Sequence, residues 1–369
     1  MSILAKKKTA ESESDLAEIL RAGGSFVIEG GGTRRIGVTE GESLSTQGVS
    51  GVTLYEPGTL TLVAQAGTSV AEIDTLLASE RQRLAFEAPD LRGLLGREGV
   101  STLGGVVATN ASGPRRVAMG ACRDFCLGVR FIDGRGEVVK NGGRVMKNVT
   151  GLDLVKLMAG SHGTLGVMTE VSLKVQPLPE TVVTLVVPGC EAADAIAILS
   201  QMLGQPYDLT GASWQNSEVL LRLEGFETSL RYRVERLKAL LRHDVVEHWG
   251  NETCDPIWHG IRDVTAFHDR PGDVWSVSVK PSAAVELVDK VMPDDVMFDW
   301  GGNRIWLLTE TGTDVRAKMT TGHATLIRAS EETKQNLGVF HPQPAALARI
   351  SAGLRQTFDP EGKFNRGMR

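Results

Sequence analysis

Phe26-Val27-Ile28-Glu29-Gly30-Gly31-Gly32-Thr33-Arg34-Arg35 is the stretch that decides the fold: a short apolar strand runs straight into a triple glycine and two arginines. Three more glycine-dense turns follow in order. They are Ser101-Thr102-Leu103-Gly104-Gly105, Thr109-Asn110-Ala111-Ser112-Gly113 and Gly163-Thr164-Leu165-Gly166, each beside an apolar run. A pyrophosphate needs several backbone N–H groups aimed at it from close range, and glycine lets the chain come near enough and turn with positive φ. One such turn is an ordinary loop. Four in fixed order read together as a wrap-around cradle for a dinucleotide.

The cradle is not of the Rossmann kind. No G-x-G-x-x-G opens a helix after a strand, and no G-x-x-x-x-G-K-[ST] occurs. Gly134-Arg135-Gly136 begins like the first pattern, but Val139 stands at the final glycine position. It reads instead as the Asp133-Gly134 turn of a hairpin between strands 129–132 and 137–139.

Composition narrows the class. The chain has 369 residues, 41% of them hydrophobic, enough for two domains and a sizeable core. Glycine accounts for 42 residues, against a usual share of about 7%. A net charge of −5 and the lack of a basic stripe argue against nucleic acid. No apolar run approaches the roughly 18 residues that span a bilayer. The polar stretch 6–14 lacks the apolar region of a signal peptide. Lys6-Lys7-Lys8 reads as a solvated tail or as a contact with a membrane surface. Four cysteines, Cys122, Cys126, Cys190 and Cys254, form neither a C-x-x-C nor a disulfide framework, so the chain is not expected to ligate an iron–sulfur cluster itself. The expected compartment is the bacterial cytoplasm.

Along the chain, 15–22 reads as a helix, 61–66 as a strand, and Ser69-Val70-Ala71-Glu72 as a capping box opening a helix to about Ser79. Residues 84–86 read as a short strand. Residues 165–175 form a long strand whose end is marked by Pro177 and Pro179, where a domain boundary is expected. Beyond it the order strand–helix–strand–strand–helix–strand occurs twice: at 182–187, 192–202, 212–215, 219–223, 229–241 and 245–247, then at 274–279, 284–291, 296–299, 304–308, 315–319 and 324–327. Two such units would share one antiparallel sheet; an α+β domain without internal symmetry is the other reading. A helix near 345–358 precedes the tail Asp359-Pro360-Glu361-Gly362-Lys363-Phe364-Asn365.

Residues 24–178 resemble the FAD-binding domain of the vanillyl-alcohol-oxidase group of flavoproteins, on strand Phe26-Val27-Ile28 entering its glycines, strand 62–65 ending at Ala66-Gly67-Thr68, the run 102–113, and 160–170. The segment Gly143-Arg144-Val145-Met146-Lys147-Asn148-Val149-Thr150-Gly151 leading to Ser161-His162-Gly163 looks like that of the FAD-binding subunits of bacterial glycolate oxidases. The resemblance implies an α+β fold, with a two-subdomain FAD-binding domain of the PCMH type at 1–178. An antiparallel-sheet α+β cap would follow at 179–330, and a segment 331–369 would pack back through its D-P-x-G-x-x-N motif. It implies noncovalent FAD held by Gly30, Gly31, Gly32, Thr33, Arg34, Arg35, Gly67, Pro89, Thr102, Leu103, Gly104, Gly105, Ala108, Asn110, Ser112, Gly113, Gly163, Gly166 and Val167. Covalent flavin is not expected, because Arg34 and Arg35 stand where the family attaches it through His or Cys. Implied partners are a catalytic flavoprotein and an iron–sulfur subunit acting on a small 2-hydroxy acid, with any membrane contact made through the complex.

One departure stands out. Relatives that oxidise 2-hydroxy acids carry H-x-G-D-G-N-x-H on a cap hairpin, whose imidazoles serve as base and metal ligand. The comparable place here reads Asp299-Trp300-Gly301-Gly302-Asn303-Arg304-Ile305-Trp306: both histidines and the acid between the glycines are missing. No catalytic residue or metal ligand is therefore assigned. Arg304 is open to two readings, a bidentate carboxylate clamp or a structural ion pair. His162 reads as positional and His323 as isolated. Trp300 and Trp306 are the two tryptophans placed on the flavin side.

Overall fold

The computed structural model describes residues 8–145 and 151–368; Lys6, Lys7 and Met146 to Thr150 of the segments quoted above lie outside them. Four sheets form among the described residues. A small parallel sheet has the order β1 (Lys8–Thr9), β3 (Glu42–Ser45), β2 (Phe26–Glu29). A five-stranded antiparallel sheet follows: β4 (Val52–Glu56), β5 (Thr61–Gln65), β9 (Val167–Lys174), β7 (Cys126–Ile132), β8 (Val138–Gly142). Between them runs a two-stranded ribbon, β6 (Gln82–Arg83) on β10 (Gln176–Pro177).

The cap is one eight-stranded antiparallel sheet. Its strands are β11 (Thr181–Val187), β12 (Gly211–Gln215), β13 (Glu218–Gly225), β14 (Val246–Trp249), β15 (Asp273–Ser278), β16 (Asp295–Asp299), β17 (Arg304–Thr309) and β18 (His323–Arg328), in the order β14-β11-β13-β12-β16-β17-β15-β18. The two halves mirror each other across the β12–β16 seam, where Trp214 faces Phe298. The strand order thus repeats in the two halves, as one of the two readings of the element order has it.

Alternation explains the layers. Val183, Leu185 and Val187 of β11 face helices Ala192–Leu203 and Glu227–Leu241, which return Ala195, Ile198, Leu199, Met202, Leu230, Val234, Leu237 and Leu241 at helical spacing. Val182 and Val186 point the other way, with Leu220, Val274, Met297, Trp306 and Leu308, onto helix Asn251–Asp263 and onto Ile36 and Leu94 of the first domain. The sheet therefore turns one apolar face outward to its own helices and the other toward the glycine turns.

Three local expectations are corrected. Residues 84–86 are not a strand: Phe86 is core, its carbonyl accepts from the Gly113 N–H at 2.8 Å, and Glu87 turns the chain with φ +45°. Ser69 stands at the N-cap but makes no side-chain cap bond, and the Val70 N–H donates to the Ser101 carbonyl at 2.9 Å. The helix at 315–319 shrinks to a single 3-10 turn, Arg316–Lys318. Thr320, Thr321 and Gly322 offer poor helical continuation, and Arg316 instead brackets the carbonyls of Ala324, Leu337 and Gly338.

Candidate functional site

The glycine turns do converge. Gly30 to Arg35, Thr102, Gly104, Gly105, Ala108, Gly163 and Gly166 line one groove of about 740 Å³, joined by Thr39, Thr46, His162, Met168, Asn365 and Met368. Two glycines show how it is built. A Cβ on Gly31 would overlap the Val100 carbonyl, so the first turn lies directly on the chain leading into the second. A Cβ on Gly32 would meet nothing closer than Glu29 Oε2 at 3.7 Å, but its φ of +76° is a conformation L side chains resist. Gly104 serves a different purpose: its N–H donates to the Ala66 carbonyl at 2.7 Å and a Cβ would come 2.8 Å from that of Ala66, so it seats a helix on β5.

The N–H groups of Gly31, Gly32, Thr33 and Arg34 make no hydrogen bond within the described residues. Arg34 is buried; its Nη2 donates to the Pro89 carbonyl and, at 3.0 Å, to Ser101 Oγ, while Nε and Nη1 are buried without a partner. Burial lowers its pKa to about 10, leaving it cationic at neutral pH. A row of free N–H donors ending in a buried, half-satisfied guanidinium is costly unless an acceptor-rich ligand lies there. These residues fit a dinucleotide.

The tail completes the groove. The Asp359 carboxylate accepts from the N–H groups of Lys363 and Phe364, both at 2.8 Å. Asn365 Oδ1 accepts from Ile28 N–H at 2.8 Å, and its Nδ2 donates to the carbonyls of His162 at 2.8 Å and Gly163 at 3.3 Å. One side chain thus ties the end of β2 to the fourth glycine turn.

A second chamber, of about 1140 Å³, lies between these turns and the cap sheet. Pro89, Asn110 and Ser112 line it rather than the groove, with Arg116, Trp300, Arg304, Trp306 and His323 opposite; Arg34 and His162 line both. Gly67, Leu103, Gly113 and Val167 stand behind the walls: Leu103 and Val167 are fully buried, and Gly113 offers its carbonyl to Trp300 Nε1 at 3.0 Å.

The hairpin at 299–306 keeps its turn, with Trp300, Gly301 and Gly302 all at positive φ. Arg304 closes no ion pair among the described residues, although the buried Asp299 carboxyl is the acidic group that acts on it most strongly. Its Nε donates to Ser276 Oγ and its Nη1 to the Ser112 carbonyl, both at 3.2 Å. Its guanidinium lies 4.6 Å from the Trp300 ring centroid and 4.1 Å from that of Trp306. Burial lowers its pKa to about 10 and pushes the neighbouring Asp299 up to about 7. His162 was read from sequence as merely positional, and His323 as isolated; the structure brings both to the chamber wall. Burial lowers the His162 pKa to about 4, so its imidazole is neutral at pH 7.

Comparison with known proteins agrees with this geometry. The sequence profile of a family described as an FAD binding domain matches residues 8–142. Alkyldihydroxyacetonephosphate synthase shares the fold, with a TM-score of 0.68 at 16% identity over 97% of this chain and 76% of that one. The chain is thus an FAD-binding flavoprotein with a PCMH-type domain and an antiparallel cap. Glycolate oxidase subunit GlcE of Escherichia coli is 35% identical over 332 residues, 89% of this chain and 87% of that one. The chain belongs to the GlcE family. D-lactate dehydrogenase of Anaerostipes hadrus and glycolate oxidase subunit GlcD of Bacillus subtilis match more locally, at 39% and 37% identity over 35% and 34% of this chain, which spans only 27% and 25% of theirs.

Proposed function

We propose that this chain is the FAD-binding subunit of a multi-subunit oxidase or dehydrogenase of 2-hydroxy acids, glycolate foremost, and that it turns over only with its partners. The observation that carries the reading is the similarity to GlcE along nearly the whole of both chains, joined to a groove with four free N–H donors and a half-satisfied buried arginine. FAD, when bound, supplies a hydride acceptor; the protein binds and orients it. Here turn 30–35 with Thr102, Gly105 and Gly163 holds the cofactor, and Arg34 meets its acceptor atoms.

The chain's own share of the chemistry is incomplete. The chamber wall carries no carboxylate, and neither histidine of the cap-hairpin motif is present in Asp299–Trp306. His162 is a weak base with its pKa near 4. Loss of general-base assistance costs about 10²–10⁴-fold in rate. The partners are accordingly a catalytic flavoprotein with the intact motif and an iron–sulfur chain that carries electrons onward, any membrane contact being made through that assembly. Among the described residues no helix is long and apolar enough to cross a membrane.

The missing histidines also favour a second reading, a non-catalytic subunit that stabilises its flavoprotein partner. Stopped-flow mixing of the flavin-loaded chain with glycolate and D-lactate separates a self-sufficient enzyme from both readings: rapid bleaching of the flavin band without partners contradicts them. A complex rebuilt with FAD-free chain separates the two, since undiminished turnover there favours the second.

A further inference from the structure

Two groups of arginines stand where the cap meets the FAD domain. Arg83, Arg115 and Arg222 form ion pairs with Glu87 and Glu224 at 2.7–2.9 Å at the interface between cap and FAD domain, and Arg262 pairs with Asp263. Arg34, Arg116 and Arg304 line the chamber, and none of the three enters an ion pair among the described residues. No Asp or Glu lines that chamber. Three cations therefore converge on a cavity that offers them no anion.

The geometry around Arg304 is specific. Ser276 Oγ and the Ser112 carbonyl occupy Nε and one N–H of Nη1, while the guanidinium lies over the Trp300 and Trp306 rings. Nη2 has no hydrogen-bond partner among the described residues, so the Nη1–Nη2 edge stays open to a carboxylate. Arg116 lies 4.6 Å from the Trp300 centroid and its guanidinium makes no hydrogen bond among the described residues. Beside Arg304 the sheet is polar: Ser276 pairs with Thr325 across β15 and β18, Ser278 pairs with His323, and all four line the chamber. Such hydroxyls suit an oxygen on the carbon next to a carboxylate.

We infer that the chamber binds a small 2-hydroxy or 2-oxo carboxylic acid with its carboxylate on Arg304, Arg34 and Arg116 supplying the surrounding positive field, and with no metal ion taking part. The choice of acid rests on the proposed function; the anion site rests on the arginines alone. Metal independence follows from the donor set, since the two histidines of the wall have no carboxylate or thiol beside them and the described residues contain no metal-binding cluster.

Calorimetric titration of the full chain with glycolate, glyoxylate and oxalate tests this, with sodium chloride and sulfate as comparison anions and EDTA present throughout. The expected result is saturable one-site binding of the carboxylic acids that weakens as salt rises. It should fall at least tenfold in Arg304→Gln, at least threefold in Arg116→Gln, and not at all in Arg231→Gln, on the exposed face of helix Glu227–Leu241. Arg116→Gln removes no internal hydrogen bond, so it keeps the test decisive if Arg304→Gln fails to fold. Absence of binding by protein that does take up FAD overturns the inference and leaves the flavin reading standing. Binding by protein that ignores FAD does the reverse. Equal affinity for chloride or sulfate, loss of binding in EDTA, or indifference to Arg116→Gln overturns the inference as well.

Discussion

Replacing Asn365 with alanine tests whether the tail is part of the cradle or only its neighbour. Asn365 is 3% exposed and spends its amide on three backbone groups, the Ile28 N–H and the carbonyls of His162 and Gly163. Stranding a buried N–H costs about 1–3 kcal/mol, and each lost carbonyl bond about 0.5–1.5 kcal/mol. Asn365 also sits at φ +44°, where alanine costs roughly 1 kcal/mol more. Allowing for non-additivity, Asn365→Ala should lose about 3–5 kcal/mol of the stability of the FAD domain. In a thermal melt that is a fall of roughly 6–20 °C. Both walls joined by the amide line the groove, so FAD affinity should fall at least tenfold, about 1.4 kcal/mol. Asn365→Asp keeps the acceptor for Ile28 but sets an anion against two carbonyls, and should behave no better at neutral pH. The assay is a melt of the apoprotein beside a fluorescence titration with FAD. A variant that melts within 2 °C of the parent and binds FAD equally well refutes the latch.

Gly31→Ala and Gly32→Ala should both weaken FAD, for different reasons: the first forces the turn off the Val100 carbonyl and also costs about 1–3 kcal/mol of stability by overpacking, whereas the second strains φ alone and melts within a few degrees of the parent. Equal melting losses would contradict that assignment. Asp299, with its folded pKa raised from 3.8 to about 7, keeps a proton that the unfolded chain sheds, so its contribution to stability falls as pH rises between about 4 and 7. Asn at this position can keep the bond to Trp300 N–H, so Asp299→Asn should gain on the parent across that window, by roughly 4 kcal/mol once pH exceeds 7; a difference in urea stability independent of pH would refute it.

Local patterns made much of this structure legible. The apolar run into Gly30-Gly31-Gly32 marked the end of β2, and short, mostly continuous apolar runs marked most cap strands, because the central ones are buried on both faces, by helices on one and by the FAD domain and helix Asn251–Asp263 on the other. Helix Asn251–Asp263 was missed: Cys254, Trp258 and Ile261 carry the spacing, but Pro256 inside it reads as a breaker. The groove residues not foreseen are those brought in from far along the chain. Asn365 and Ile28 are 337 positions apart, and Met168 and Met368 have no local signature of a binding wall. Arg34 could be read as a loop cation, yet its place between groove and chamber depends on how the cap docks. The same holds for His162 and His323, whose surroundings are set by the sheet packed over them.

The central claim is that turn 30–35 and its partners hold FAD without a covalent bond. The most direct measurement is titration of the apoprotein with FAD, followed by acid precipitation. Stoichiometric uptake, with all yellow flavin released into the supernatant, is the predicted result. Apoprotein that ignores added FAD, or a pellet that stays yellow, contradicts the account.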